Sequence, residues 1–267
     1  MFMGIFQNKV VWITGASSGI GEALAKAFAD EGAKLILSSR RSDELERVKS
    51  TLKSIHSDIL ILPLDLAETS KTDALAKQVI DTFGRIDILI NNGGISQRSL
   101  TKDTSLEIDR KVMEVNFFGT VALTKSVLPY MLKQKSGHII AVSSIVGKFG
   151  FYLRSAYSAS KHALHGFFES LRMEIYADNI KVLIVCPGKI RTNISVNALT
   201  GDGSKHSIMD ESTDKGLSPE VCAQKILDGI KRNKEELLIG GSDLNAIWLK
   251  RFFPKLFSRI IRKQKAE

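Results

Sequence analysis

Cysteine is nearly absent from this chain: Cys186 and Cys222 are the only two among 267 residues, and they stand in no C-x-x-C pair or metal-ligand spacing. A disulfide framework is therefore not expected, and a reducing cytosol is the natural compartment. The five histidines, His56, His138, His162, His165 and His206, form no metal-ligand pattern, so no metal site is expected. No low-complexity linker or internal repeat divides the chain. Its opening, Met1-Phe2-Met3-Gly4-Ile5-Phe6, lacks the basic region and long apolar core of a signal peptide or a membrane span. The net charge of +9 comes with no nucleic-acid recognition motif, so nucleic acid is not an expected partner.

Short β-branched or Leu-rich runs alternate with amphipathic helical stretches from Val10 to Ile239. This pattern predicts a parallel sheet covered by helices on both faces. The length suits a single α/β domain over 1–245 with a tail over 246–267.

The first chemical signature follows the run Val10-Val11-Trp12-Ile13: a glycine-rich turn, Thr14-Gly15-Ala16-Ser17-Ser18-Gly19-Ile20-Gly21. Gly15 permits a tight turn, Gly19 lets the backbone approach a pyrophosphate, and Gly21 lets the next helix pack closely. That helix, over about Ile20 to Glu31, would aim its N-terminal N–H groups at phosphates. The context is that of a Rossmann-like, doubly wound dinucleotide fold. Gly15-Ala16-Ser17-Ser18-Gly19 also matches the G-x-S-x-G elbow of α/β-hydrolases. An elbow after the first strand has no earlier strand to furnish an oxyanion-hole loop, and it explains nothing downstream.

The second signature is Tyr157-Ser158-Ala159-Ser160-Lys161. Tyr157 and Lys161 are four apart and share a helix face, where an ammonium beside a phenol favours the phenolate. A tyrosine so placed can act as general acid or base.

Together these segments resemble the classical short-chain dehydrogenase/reductase family, in order from about Asn8 to Thr192. Asn91-Asn92-Gly93-Gly94 is similar to the family's N-N-A-G, with Gly93 in place of alanine. The resemblance implies catalytic roles for Asn116, Ser144, Tyr157 and Lys161; Ser143 is the adjacent competitor, and the spacing of thirteen before Tyr157 prefers Ser144. It implies that Lys161 binds the nicotinamide ribose, that Asn116 fixes a water, and that Asn92, Pro187, Gly188, Ile190 and Thr192 belong to the cofactor site with Gly15, Ser17, Ser18, Gly19, Ile20 and Gly21. It also implies an acidic contact from Asp65 to adenine, for which a turn aspartate is the alternative, and a homodimer or homotetramer. The implied reaction is hydride transfer between nicotinamide and the carbonyl or alcohol carbon of a small molecule.

After Lys34-Leu35-Ile36-Leu37-Ser38 the chain has Ser39-Arg40-Arg41 where an acidic residue would select a 2′-hydroxyl. Ser39 and Arg40 favour NADP(H), with NAD(H) the alternative. The segment 189–216 is polar and irregular, as a mobile substrate lid would be. Phe149, Phe151, Tyr152 and Leu153 are candidates for an apolar pocket that would take a bulky carbonyl compound.

The tail from Ala246 holds seven Lys or Arg and one Glu, a net of +6 that leaves +3 for the rest. Its cations interleave with aromatic and aliphatic residues, and Pro254 should split it into two helices. Such a segment suits an anionic membrane surface; packing on the body or a second subunit is the alternative. The rival to an enzyme is a non-catalytic NADP-binding module recruited by this tail.

Overall fold

The Val-, Ile- and Leu-rich runs become strands of one sheet in the computed structural model, which describes residues 4–52 and 58–263. Met1, Phe2, Met3, His56 and Lys265 lie outside the described residues. The strands are β1 (Val10–Thr14), β2 (Lys34–Ser38), β3 (Ile59–Ile61), β4 (Ile88–Asn91), β5 (Gly137–Val142), β6 (Ile180–Pro187) and β7 (Glu236–Ile239). Their order is β3-β2-β1-β4-β5-β6-β7, and every neighbouring pair is parallel. The third apolar run, which continues in sequence to Leu64, ends as a strand at Ile61 because Pro63 has no N–H for the ladder.

The helices are α1 (Gly19–Asp30), α2 (Ser42–Thr51), α3 (Thr72–Phe83), α4 (Leu106–Met113), α5 (Gly119–Gln134), α6 (Ser155–Glu174), α7 (Glu211–Asp214), α8 (Pro219–Lys231), α9 (Asn245–Phe252) and α10 (Pro254–Ile261). Alternation along β1 divides the core in two. Val11 and Ile13 pack with Leu24 and Phe28 of α1 and Ile226 of α8, while Val10 and Trp12 pack with Val79 of α3, Leu123 of α5 and Phe168 of α6. Trp12 is fully buried, and its indole N–H donates to Ser38 Oγ at 2.8 Å, so the ring brings no unpaired donor into the sheet.

Strands β2 and β3 lie on one side of β1, and β4 to β7 on the other. The chain therefore reverses its winding between β1 and β4, and a crevice opens beyond their carboxyl ends. The glycine-rich turn leaves β1 there, and Asn92 leaves β4 beside it. Among the described residues, no helix is long and apolar enough to cross a membrane.

Candidate active site

The glycine turn is held in a shape that side chains would spoil. Gly15 and Gly19 have φ of +64° and +57°, and a Cβ added to Gly21 would fall 2.1 Å from the Gly15 carbonyl oxygen. Asn92 fastens the turn from the neighbouring strand: its Nδ2 donates to Thr14 O at 3.0 Å and to Gly15 O at 3.3 Å. Thr14 Oγ1 in turn accepts from the backbone N–H groups of Asn92 (3.0 Å) and Gly93 (2.9 Å). At the N-cap of α1, Ser18 makes no side-chain cap hydrogen bond, so the first-turn N–H groups are available to an anion. These features fit a dinucleotide pyrophosphate.

Two guanidiniums reach the turn: Arg41 Nη2 donates to Ser17 Oγ at 3.1 Å and lies 3.5 Å from Ser18 Oγ, while Arg47 Nη2, on a guanidinium already paired with Glu22, donates to Ser17 O at 3.3 Å. Arg40 is exposed, and Ser39 Oγ accepts from the Arg41 backbone N–H at 3.1 Å. The pair Ser39 and Arg40 expected at the 2′ position is thus joined by a third residue whose guanidinium already reaches the turn. Asp65 Oδ1 accepts from Ala67 N–H at 3.0 Å, the arrangement of a turn aspartate. Ser17 is buried with its hydroxyl engaged by Arg41, which is no setting for a hydrolase nucleophile.

Tyr157 and Lys161 lie on the first turns of α6, both buried, with the ammonium nitrogen 5.7 Å from the centre of the phenol ring. Lys161 Nζ donates to Val142 O at 2.8 Å, and burial pulls its pKa down to about 8. For Tyr157 burial dominates as well and raises the pKa, opposed by the Arg154 guanidinium and a hydrogen bond with Ser144. The expected lowering by Lys161 is not what governs the phenol here. The structure also separates the two serines. Ser143 Oγ turns inward to Lys161 O and His165 Nε2, each at 3.1 Å, whereas Ser144 meets Tyr157.

Asn116 occupies a wide π-type turn, Glu114–Phe118, between α4 and α5, closed by the Gly119 N–H on Glu114 O. The extra residue turns the amide inward. Its Oδ1 accepts from Ile95 N–H at 2.8 Å, and its Nδ2 donates to Ile95 O at 2.9 Å and to Ser160 Oγ at 3.0 Å. A Cβ on Gly94 would sit 3.0 Å from Asn116 Oδ1 and 3.6 Å from Lys161 Nζ, so both groups face the same glycine. Nothing in the sequence announces this turn.

One cavity of about 1110 Å³ is lined by Asn92, Ser144, Tyr157 and Lys161 and, from the cofactor set, by Ile20, Pro187, Gly188, Ile190 and Thr192. Of the four apolar candidates, Phe149 and Phe151 line it. Tyr152 is exposed, and Leu153 takes a left-handed φ of +60° at the bend before α6. The segment 189–216 is irregular but anchored: Ser195 and Ala198 are fully buried, and Asp210, just before α7, is caught by Arg98 and Arg154.

Pro254 divides the tail into α9 and α10, and one side of the pair closes over this cavity. Ile247, Phe257 and Ile261 pack with Ile145, Val146, Phe149 and Tyr157, and the Phe149 and Phe257 rings meet edge to face at 5.4 Å. Lys250 Nζ donates to Lys148 O at 2.8 Å. Packing on the body accounts for that side. Trp248, Phe252, Phe253, Leu256 and Ile260 remain exposed, with Trp248 stacked on Phe252 at 6.2 Å.

The family model of the short chain dehydrogenases matches residues 9–202. The chain belongs to the short-chain dehydrogenase/reductase family. It is similar to a dehydrogenase/reductase SDR family protein 7-like of Drosophila melanogaster, 47% identical over 270 residues, covering 98% of this chain and 82% of the relative. It is similar also to dehydrogenase/reductase SDR family member 7B of Mus musculus, 44% identical over 260 residues, covering 96% and 80%. Among solved structures, a short chain dehydrogenase/reductase from Burkholderia phymatum in complex with NAD superposes with a TM-score of 0.84 at 24% identity, covering 96% of each chain, and shares the fold. The protein is an oxidoreductase of the dehydrogenase/reductase type that works with a nicotinamide cofactor.

Proposed function

We propose that this protein transfers a hydride between NADP(H) and the carbonyl or secondary alcohol of a bulky, largely apolar substrate. The observation that carries the reading is the convergence of Tyr157, Ser144 and Lys161 on one cavity that also receives Ile20 from the glycine turn and Asn92 from the end of β4. When bound, the nicotinamide supplies or takes the hydride. Tyr157 gives or takes the proton on the substrate oxygen, and Ser144 donates to the same oxygen and holds it in line. Lys161 binds the ribose and stabilises the phenolate as it forms, and Asn116 holds the backbone at Ile95 while its amide faces the lysine side of the site. Phe149, Phe151 and the inner side of the tail support an apolar substrate body.

The preference for NADP(H) rests on Ser39, Arg40 and above all Arg41, with no carboxylate among these three residues to repel a 2′-phosphate. Fluorescence titration of the purified protein should show NADPH binding more tightly than NADH. Arg41→Ala should weaken NADPH by about tenfold or more, with a smaller change for NADH, as loss of a charge-assisted hydrogen bond predicts. Equal affinities in the unsubstituted protein would return the site to NAD(H), and binding of neither would remove the oxidoreductase reading.

The tail's exposed side supports contact with an anionic membrane surface. Trp248, Phe252 and Phe253 are exposed, although they also line the mouth of the cavity, and they share their segment with Lys250, Arg251 and Lys255. Each cation near an anionic surface contributes about 1 kcal/mol, and the aromatic rings add burial in the interface. The protein would then be cytoplasmic and peripheral. Sedimentation with phosphatidylglycerol vesicles should carry it down in low salt, and Trp248→Ser with Phe252→Ser should release it; equal recovery with neutral vesicles would oppose the charge argument. A homodimer or homotetramer through the α5 and α6 face is supported by exposed Phe118, which ends a ladder of rings through Phe117 and Phe167 to Phe168.

A further inference from the structure

The cavity wall beside Tyr157 carries a buried charge imbalance. Arg98 and Arg154 both end on a single carboxylate oxygen, Asp210 Oδ2, Arg154 through its Nη2 at 3.1 Å. Arg154 Nη1 also donates to Ser96 Oγ at 3.2 Å. The side chains are 4%, 14% and 2% exposed, in the order Arg98, Arg154 and Asp210, so water solvates the excess charge poorly. Two guanidiniums face one carboxylate. Nε and Nη1 of Arg98 have no hydrogen-bond partner, and Asp210 is the one carboxylate among the charges acting on Arg154. Pairing the second Asp210 oxygen with Arg98 would satisfy donors and still leave a net positive charge.

The Asp87 cluster, which has the same charge count, is managed differently. Asp87 pairs with Arg85 and Lys9, but those two cations are each 46% exposed and solvated. A sealed excess charge is costly to keep, and such charges recur where a ligand supplies the opposite sign. Both Arg98 and Arg154 line the cavity that holds Tyr157, and the Arg154 guanidinium lies 5.7 Å from the Tyr157 ring centre. Arg154 precedes the tyrosine by about one helical turn and Lys161 follows it by about one turn, so the two cations flank it along α6. The adenosine end of the crevice has its own cation in Arg41. Among the described residues lining the cavity, Asp243 is the one carboxylate, and the backbone N–H groups of Gly241 and Lys189 already bind it.

We propose that Arg98 and Arg154 form an anion subsite, so that the substrate is a carbonyl or carbinol compound bearing a carboxylate or phosphate group close to its reacting carbon. This rests on the oxidoreductase reading for the reacting end of the substrate. The anion would share both guanidiniums with Asp210, the Arg98 side chain turning to bring its enclosed, unpartnered N–H groups to it, while the substrate oxygen faces Tyr157 and Ser144. The apolar wall of the same cavity accepts the remainder of an amphiphilic molecule.

The test is calorimetric binding of decanoate, decyl phosphate and decan-1-ol to the full chain, with and without saturating NADPH. The three probes share one alkyl chain and differ in charge. Either anion is expected to bind at least about tenfold more tightly than the alcohol, the scale of a charge-assisted hydrogen bond, and whichever anion wins identifies the source of the charge. In Arg154→Gln and in Arg98→Met the preference should collapse toward unity, and Arg154→Lys should restore part of it. Equal binding of all three probes by the unsubstituted protein overturns the proposal without recourse to any variant. A preference that survives both substitutions overturns it too, because another cation of the cavity, such as Lys161 or Lys189, or the basic tail would then be the anion's host. Failure of both NADPH and NADH to bind while the anion preference persists would fell the oxidoreductase reading and leave the subsite standing.

Discussion

Tyr157→Phe is expected to lower turnover by about 10²- to 10⁴-fold while cofactor affinity survives, because the change removes one proton and its oxygen and leaves the ring. The ring is held by Ile145, Val146 and Phe149, and phenylalanine keeps those contacts. The hydroxyl's lost partner is Ser144, which lines the open cavity, so water replaces the bond and the fold is little disturbed. Kinetics with any ketone the protein reduces, set beside NADPH titration of the same sample, reads both quantities. A non-catalytic NADP-binding module would show no turnover for the phenylalanine substitution to remove. Turnover undiminished by the substitution would move the proton donor elsewhere.

The pH profile carries a second readout of the same machinery. Burial raises the Tyr157 pKa, so the phenol stays protonated through the neutral range and can donate in the reductive direction. Lys161 falls to about 8, and its positive charge stabilises the phenolate formed as the proton leaves. The ammonium is present below that value and lost above it. Reductive kcat/KM should therefore decline as pH rises through about 8, and Lys161→Arg, charged throughout, should move that limb to higher pH even if its absolute rate is low. A limb unmoved by the arginine would assign it to another group.

The fold was legible where chemistry is local. Val10 to Ile13 and Lys34 to Ser38 announce strands by continuous apolar, β-branched composition, and Gly15, Gly19 and Gly21 announce a turn that only glycine can fill. Pro254 announces the break between the two tail helices. What sequence could not reveal depends on which distant residues meet. The π-type turn that aims Asn116 inward is a one-residue irregularity in a helical stretch, with no local composition to mark it. Arg40 and Arg41 are adjacent, and only the path from β2 into α2 decides that Arg41 is the one touching Ser17. The lid-like segment looks mobile by its polar composition, yet Asp210 anchors it across more than a hundred residues of chain to Arg98. Tail and cavity likewise meet only in three dimensions, as Phe257 does with Phe149.

Asp210→Ala is expected to destabilise the protein by about 3–5 kcal/mol, among the larger losses a single substitution can cause here. The reason is electrostatic rather than a cavity. Removing the carboxylate leaves Arg98 and Arg154 buried beside each other with no countercharge, and Arg98 already acts to lower the pKa of Arg154. Segment 189–216 loses its anchor in the same step, so proteolysis there should quicken as unfolding shifts to lower denaturant. An exposed pair makes the control: Lys77 and Asp81 on α3 are well solvated, and Asp81→Ala should leave unfolding unchanged. Asp210→Asn should fall between, since the amide oxygen still accepts one hydrogen bond without balancing charge. The sharper comparison replaces all three partners by apolar side chains of similar size, Arg98→Met, Arg154→Leu and Asp210→Leu. Buried ion clusters removed whole are often neutral or favourable to stability, because every desolvated charge disappears together. If the triple variant unfolds at or above the denaturant midpoint of the original protein and binds decanoate no better than decan-1-ol, the cluster's charge serves the ligand rather than the fold. If it is as unstable as Asp210→Ala alone, the cluster is a structural device, and its excess positive charge needs another account.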